Sequence, residues 1–215
     1  MIAVLASRLD PESRSVVDGW SSADAALLSA EDLVSPGWTF SVGDPCSGTA
    51  VVDGRRISTA DISAVLTRRP SVLADELGRI HPADRAYVAA ETNAFLVAWL
   101  SALPCTVVNR PTTTSLCGPA WDRLHWQSTA ARVGVPWSDE GDMSDAHEVV
   151  VCGERCVFAR DAREAALATA LSRAAGTELL GVRFQREGIS GVTVAPSLAD
   201  GDVRACLLDH LLGRS

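Results

Sequence analysis

The sequence of 215 residues contains no lysine; all 19 of its basic residues are arginine. A lysine ammonium is a compact point charge, so any phosphate chemistry that needs one must be done here by another group. No stretch approaches the roughly 18 apolar residues of a membrane span. The first residues also lack the basic region and apolar core of a secretion signal, and the expected setting is the cytoplasm. Six cysteines in a chain this long do not make a disulfide scaffold, which fits a reducing compartment. There is no glycine-rich phosphate loop and no serine nucleophile elbow. The histidines (His81, His125, His147 and His210) show no metal-ligand spacing, so neither a metal nor a cofactor is expected. Basic surface is scarce as well. A net charge of -8 argues against nucleic acid or anionic membrane as a partner, because both need a basic face.

What is present describes a folded globule. The chain is 47% hydrophobic and 21% charged, enough to bury one sizeable core or a larger domain and a small lobe. An apolar run at 2–7 predicts a first strand, and Asp10-Pro11 supplies a capping carboxylate and a first-turn proline for a helix reaching Trp20. Residues 25–28 are a second short apolar run, alternating or buried patterns predict strands at 38–42, 49–52 and 62–66, and Asp53-Gly54 marks a hairpin turn. A helix is expected over 72–80. A long one follows Asp84, with Tyr87, Ala90, Phe95, Trp99 and Leu103 at helical spacing and Glu91 among them. A carboxylate in such a stripe needs a partner, for which Arg68 or Arg69 at the end of a preceding strand would serve. That pair is either a buried lock between strand and helix or a substrate-facing group.

Residues 105–109 predict a central strand ending in Asn109-Arg110-Pro111, at the edge where open α/β sheets place ligands or, equally, in a plain turn. A helix over 120–133 closes at Gly134. The polar, acidic stretch after it reads as a linker, residues 138–147. Beyond it, strands at 148–152 and 156–159, a helix at 162–175, strands at 179–185 and 191–194 and a helix at 203–212 give the order ββαββα. The expected fold is therefore α/β: an open, mostly parallel sheet with flanking helices over 1–137, then a small α+β lobe of antiparallel strands and helices over 148–215.

Several motifs in this order resemble the ATP-grasp ligases. Leu66-Thr67-Arg68-Arg69-Pro70, Glu91, Val107-Val108-Asn109-Arg110-Pro111 and the Ala130…Gly134-x-Pro136 segment make residues 1–137 similar to the pre-ATP-grasp domain, closest to ligases that modify ribosomal peptides and to the glutamate-ligase-like group. HEVVVCGERCVFARDA and LLGVRFQREGISGVTVAPS resemble the last part of the same family, where a valine-rich hairpin and a strand pair hold the metal-binding acids. The resemblance implies magnesium and ATP held between lobes by lysines and by Asp, Glu and Asn. Against that pattern, Arg123 stands where the first lysine belongs, and about ten residues separate Pro136 from His147 in place of a whole lobe. Gly181 replaces an aspartate, and Thr193-Val194-Ala195-Pro196 replaces Glu-x-Asn-Pro. The implied protein is a truncated, degenerate relative without Mg-ATP binding or ligation, acting as an accessory in peptide or natural-product biosynthesis.

In such ligases the first domain helps to form the acceptor side of the cleft. The resemblance thus assigns Arg68, Arg69, Glu91, Asn109 and Arg110 to substrate binding, with an anionic peptide, a carboxylate-bearing small molecule or a biosynthetic partner protein as the ligand. Two enzymatic alternatives stand beside it. One is a repurposed, ATP-independent site, with His125 as general base or Cys152 and Cys156 as a redox pair across the hairpin. The other is a compact ATP-dependent carboxylate-amine ligase. Six tryptophans also leave room for an interaction scaffold, a homodimer included.

Overall fold

Ile2–Leu5 and Ala64–Thr67 are buried at every position, which suits strands covered on both faces. In the computed structural model, which describes residues 1–138, 145–185 and 188–214, they lie at the centre of a parallel sheet. The chain divides into two compact units, Met1–Cys117 and Gly118–Ser215.

The first unit opens with β1 (Ile2–Leu5), α1 (Pro11–Gly19), β2 (Ala25–Leu28) and the single turn α2 (Ala30–Leu33). A hairpin, β3 (Thr49–Val52) and β4 (Arg55–Ser58), then precedes β5 (Ala64–Thr67), α3 (Arg85–Ala102) and β6 (Thr106–Val108). The sheet order is β2-β1-β5-β6, all parallel. The β1-to-β2 and β5-to-β6 crossovers run in opposite directions from the centre. Right-handed connections therefore set α1 and α3 on opposite faces. Ala3, Leu5, Val65 and Val107 join the core beneath Leu96, Trp99 and Leu100 of α3, and Trp38 meets Trp99 edge-on at 5.2 Å.

Local chemistry explains where the elements begin. The Asp10 side chain accepts from the Glu12 amide and Pro11 occupies the first turn of α1, as the sequence predicts. Asp53 and Gly54 turn the hairpin with φ of 49° and 70°. Three expectations are corrected. Residues 38–42 form no strand, only an isolated bridge from Thr39 to Thr49. Residues 72–80 form no helix beyond a 3-10 turn at Ala74–Glu76, because Asn93 ties down Val72 from both sides: the Val72 amide donates to its oxygen at 2.8 Å and its amide nitrogen donates to the Val72 carbonyl at 3.0 Å. In α3 the buried face is Ala89, Leu96, Trp99 and Leu100; Tyr87 is 70% exposed and Glu91 lies on the exposed side, outside any apolar stripe.

The second unit holds α4 (Arg123–Arg132), β7 (His147–Cys152), β8 (Arg155–Val157), α5 (Ala162–Ala175), β9 (Leu179–Gln185), β10 (Gly188–Thr193) and α6 (Gly201–Leu211). Its antiparallel sheet has the order β10-β9-β7-β8. Trp126, Ala130 and Val135 pack with Val149, Val151, Leu171 and Leu180 in one core. That packing carries α4 into the second unit, which begins at Gly118. Most of the acidic segment expected as a linker, and part of the turn after β9, lie outside the described residues.

Candidate functional site

In the first unit the chain leaves β1 toward β2 on one side, while β5 stands on the other. Connections diverging in this way open a crevice at the C-terminal edge of the two strands. A crevice of about 310 Å³ lies there, lined by Ser7 and Asp10 from the β1 end, by Arg68, Arg69, Pro70 and Ser71 from the β5 end, and by Leu73 and Glu76. A second hollow of about 230 Å³ at the ends of β1 and β2 shares Ser7 and Glu76 with it.

The two arginines are held differently. Arg68 Nη2 meets Glu12 Oε2 at 3.3 Å, and burial lowers the guanidinium pKa while Asp10 and Glu12 oppose the shift. Arg69 is 6% exposed; its Nε donates to the Ser71 carbonyl at 2.9 Å and its Nη2 to Glu76, which also accepts from the Leu73 amide at 3.0 Å. Arg69 Nη1 is buried with no hydrogen-bond partner. One donor pair of a cation is thus left unsatisfied in the crevice region, and that costs free energy unless something accepts from it.

In the second unit, Val149, Val151, Leu180 and Val182 face the core, so Glu148, Val150, Gly181 and Arg183 turn to the opposite face. No protein-family model and no curated protein matches the sequence. Solved structures do match the fold. One is the macrocyclase MdnC from Microcystis aeruginosa bound with its precursor peptide MdnA: TM-score 0.74, 10% identity, covering 100% of both chains. Another is a RiPP-associated ATP-grasp ligase from Chryseobacterium gregarium in complex with ADP and a leader and core peptide: TM-score 0.69, 10% identity, covering 100% of this chain and 97% of that one. A RimK domain ATP-grasp protein from Sphaerobacter thermophilus follows with TM-score 0.55 and 18% identity, covering 99% of both. The chain has the ATP-grasp ligase fold.

Set in that fold, the expected site residues separate. Arg68 and Arg69 line the crevice. Asn109 is buried just past β6 with φ of 52°, in the left-handed turn that asparagine tolerates, and does not line it. Arg110 donates to the carbonyls of Leu100 at 2.9 Å, Leu103 at 3.1 Å and Cys105 at 2.9 Å, so its guanidinium closes the C-terminus of α3. Glu91 pairs with neither Arg68 nor Arg69; the carboxylates beside them are Glu12 and Glu76. His125 is exposed at the first turn of α4, its Nδ1 2.8 Å from Asp122 Oδ1. The His125 amide holds the Asp122 carboxyl below the usual range, which marks a helix cap.

Strand parity also parts the proposed redox pair. Cys152 stands opposite Arg155 and Cys156 opposite Val151, so the two thiols point to opposite faces. Cys156 bonds to Ala165 and Thr169 of α5, while the thiol beside Cys152 is Cys206 of α6.

The magnesium and ATP of the fold's ligases need oxygen ligands and cations on phosphate. A Cβ added at Gly181 would stand 2.5 Å from Glu148 Oε1 and 2.8 Å from Thr193 Cγ2, so an aspartate there would have to displace both side chains. Among the described residues no group of three His, Cys, Asp or Glu side chains is placed to hold a metal ion. Six residues separate the described Ser138 from Asp145. Ser7, Asp10, Glu12 and Glu76 surround the arginines without a sequence motif of their own, apart from the Asp10-Pro11 cap directly after a strand.

Proposed function

We propose that this chain is an ATP-grasp-fold protein without ligase chemistry, and that it binds an acidic peptide or peptide-bearing partner during ribosomal-peptide modification. The observation that carries the reading is Arg69: a buried guanidinium at the β1/β5 crevice, with two donors satisfied internally and Nη1 left over. A carboxylate accepts well from a guanidinium N–H. The precursor peptides bound to the similar-fold ligases support a peptide as its bearer. The packing at Gly181 and the absence of lysine support the loss of Mg-ATP use.

The test is titration of a fluorescent, glutamate-rich peptide against the wild type, Arg69→Lys and Arg110→Ala. Lysine keeps the charge and loses the fork. Arg69→Lys should weaken binding by about tenfold or more, the worth of a charge-assisted hydrogen bond. Arg110→Ala should leave binding unchanged. Equal affinity of the wild type and Arg69→Lys, each with native thermal stability, would contradict the proposal, as would no saturable binding at all.

A further inference from the structure

The arginine crevice has a neighbour of a different chemical character. The hollow of about 230 Å³ at the ends of β1 and β2 adjoins it on the other side of β1, and Ser7 and Glu76 line both. At the crevice, Arg69 Nη1 is buried with no hydrogen-bond partner. In the hollow the polar side chains are already engaged. Ser7 Oγ accepts from the Leu9 amide at 3.2 Å, and Ser29 Oγ accepts from Arg8 Nε at 3.1 Å. Arg8 Nη1 faces Glu31 Oε2 at 3.5 Å, and Glu76 holds Arg69. The apolar part of its wall is Ala30 and Leu9, and Leu9 is 85% exposed.

A charged group entering the hollow would compete with pairs already made, and would lose its own water in doing so. An aliphatic side chain instead removes its surface and that of Leu9 from water together. The crevice therefore suits an acidic side chain and the hollow an aliphatic one. Neighbouring strands lie about 4.8 Å apart, so cavities on either side of β1 are about one strand apart along the sheet edge. On an extended chain adjacent side chains point opposite ways, while those two apart point the same way at about 6.7 Å. Two apart is the closest spacing that fills both cavities from one side.

We propose that crevice and hollow together read a two-part signal in an extended peptide. An acidic residue sits on Arg69, and a bulky aliphatic residue two positions away packs against Leu9. The hollow and Leu9 thereby decide which acidic peptide binds, a role that rests on the acidic-peptide reading of the crevice.

Fluorescence anisotropy with four labelled peptides on one glycine-serine backbone tests it. They carry glutamate alone, glutamate with an adjacent leucine, and glutamate with a leucine two positions before or two positions after. One of the two spaced peptides should bind the full chain about tenfold more tightly than the adjacent peptide or glutamate alone, the worth of burying a leucine. Leu9→Ser should erase that difference, with thermal melts to check that the variant is native. An adjacent leucine as effective as a spaced one, or a leucine preference that survives in Leu9→Ser, would overturn the proposal. Equal binding of all four peptides would overturn it too, and would leave the acidic-peptide reading standing. Binding of none of them, or equal binding of glutamate alone by wild type and Arg69→Lys, would remove both.

Discussion

Arg110 illustrates how an arginine at the edge of a sheet can be spent on the fold. Its position after β6 is where a ligand group is expected, yet its donors meet carbonyls from Leu100 to Cys105. Replacing it with alanine should destabilise the protein by about 1–2 kcal/mol, a net loss of several partly exposed hydrogen bonds, measured by urea unfolding. An unchanged unfolding midpoint would show that the cap is dispensable. Glu148 is the opposite case, a half-buried carboxylate whose pKa burial raises despite Arg183. The folded state holds its proton more tightly than the unfolded chain does. The associated stability is therefore present below the unfolded pKa and lost as pH rises through the folded one. Glu148→Gln should accordingly gain melting temperature relative to the wild type between about pH 4 and pH 7. A difference independent of pH would contradict this. Residue types were legible in the sequence; what each side chain touches was not. The helical stripe through Tyr87, which is 70% exposed, is not the buried face of α3, and Glu91 is exposed with it.

At the scale of elements, the sequence was most legible where local chemistry decides. Asp10 caps the helix that follows it, and Asp53-Gly54 turns the hairpin, both as expected from the sequence. It was least legible where a distant partner decides, as with Asn93 holding Val72 out of a helix. The cysteine hairpin shows the same limit, since one step of register sends neighbouring thiols to opposite faces. Cys46 is exposed, whereas Cys152 and Cys206 are buried, and burial with a neighbouring thiol pushes Cys152 upward in pKa. Iodoacetamide followed by mass spectrometry should modify Cys46 in the native protein, and Cys152 and Cys206 only after unfolding. A Cys152–Cys156 disulfide recovered from the oxidised native protein would contradict the register. Gly181 belongs at this scale too. Gly181→Asp should lower the melting temperature and gain no magnesium affinity, because the carboxylate enters space that Glu148 and Thr193 fill.

For the whole molecule, the order of α/β and then α+β elements was visible in the hydrophobic periodicity, and the motifs ran in the order of the ATP-grasp ligases. The unit boundary was not visible, because α4 carries no signal of which core it joins until Trp126, Ala130 and Val135 are seen beside Val149 and Leu171. We propose that this fold persists here without its nucleotide chemistry. Calorimetric titration of the purified chain with ATP and magnesium tests it most directly. No saturable heat is expected up to millimolar nucleotide, with the acidic-peptide titration positive on the same preparation. Saturable, magnesium-dependent nucleotide binding would contradict it and would mean that arginines have taken over the work of the missing lysines.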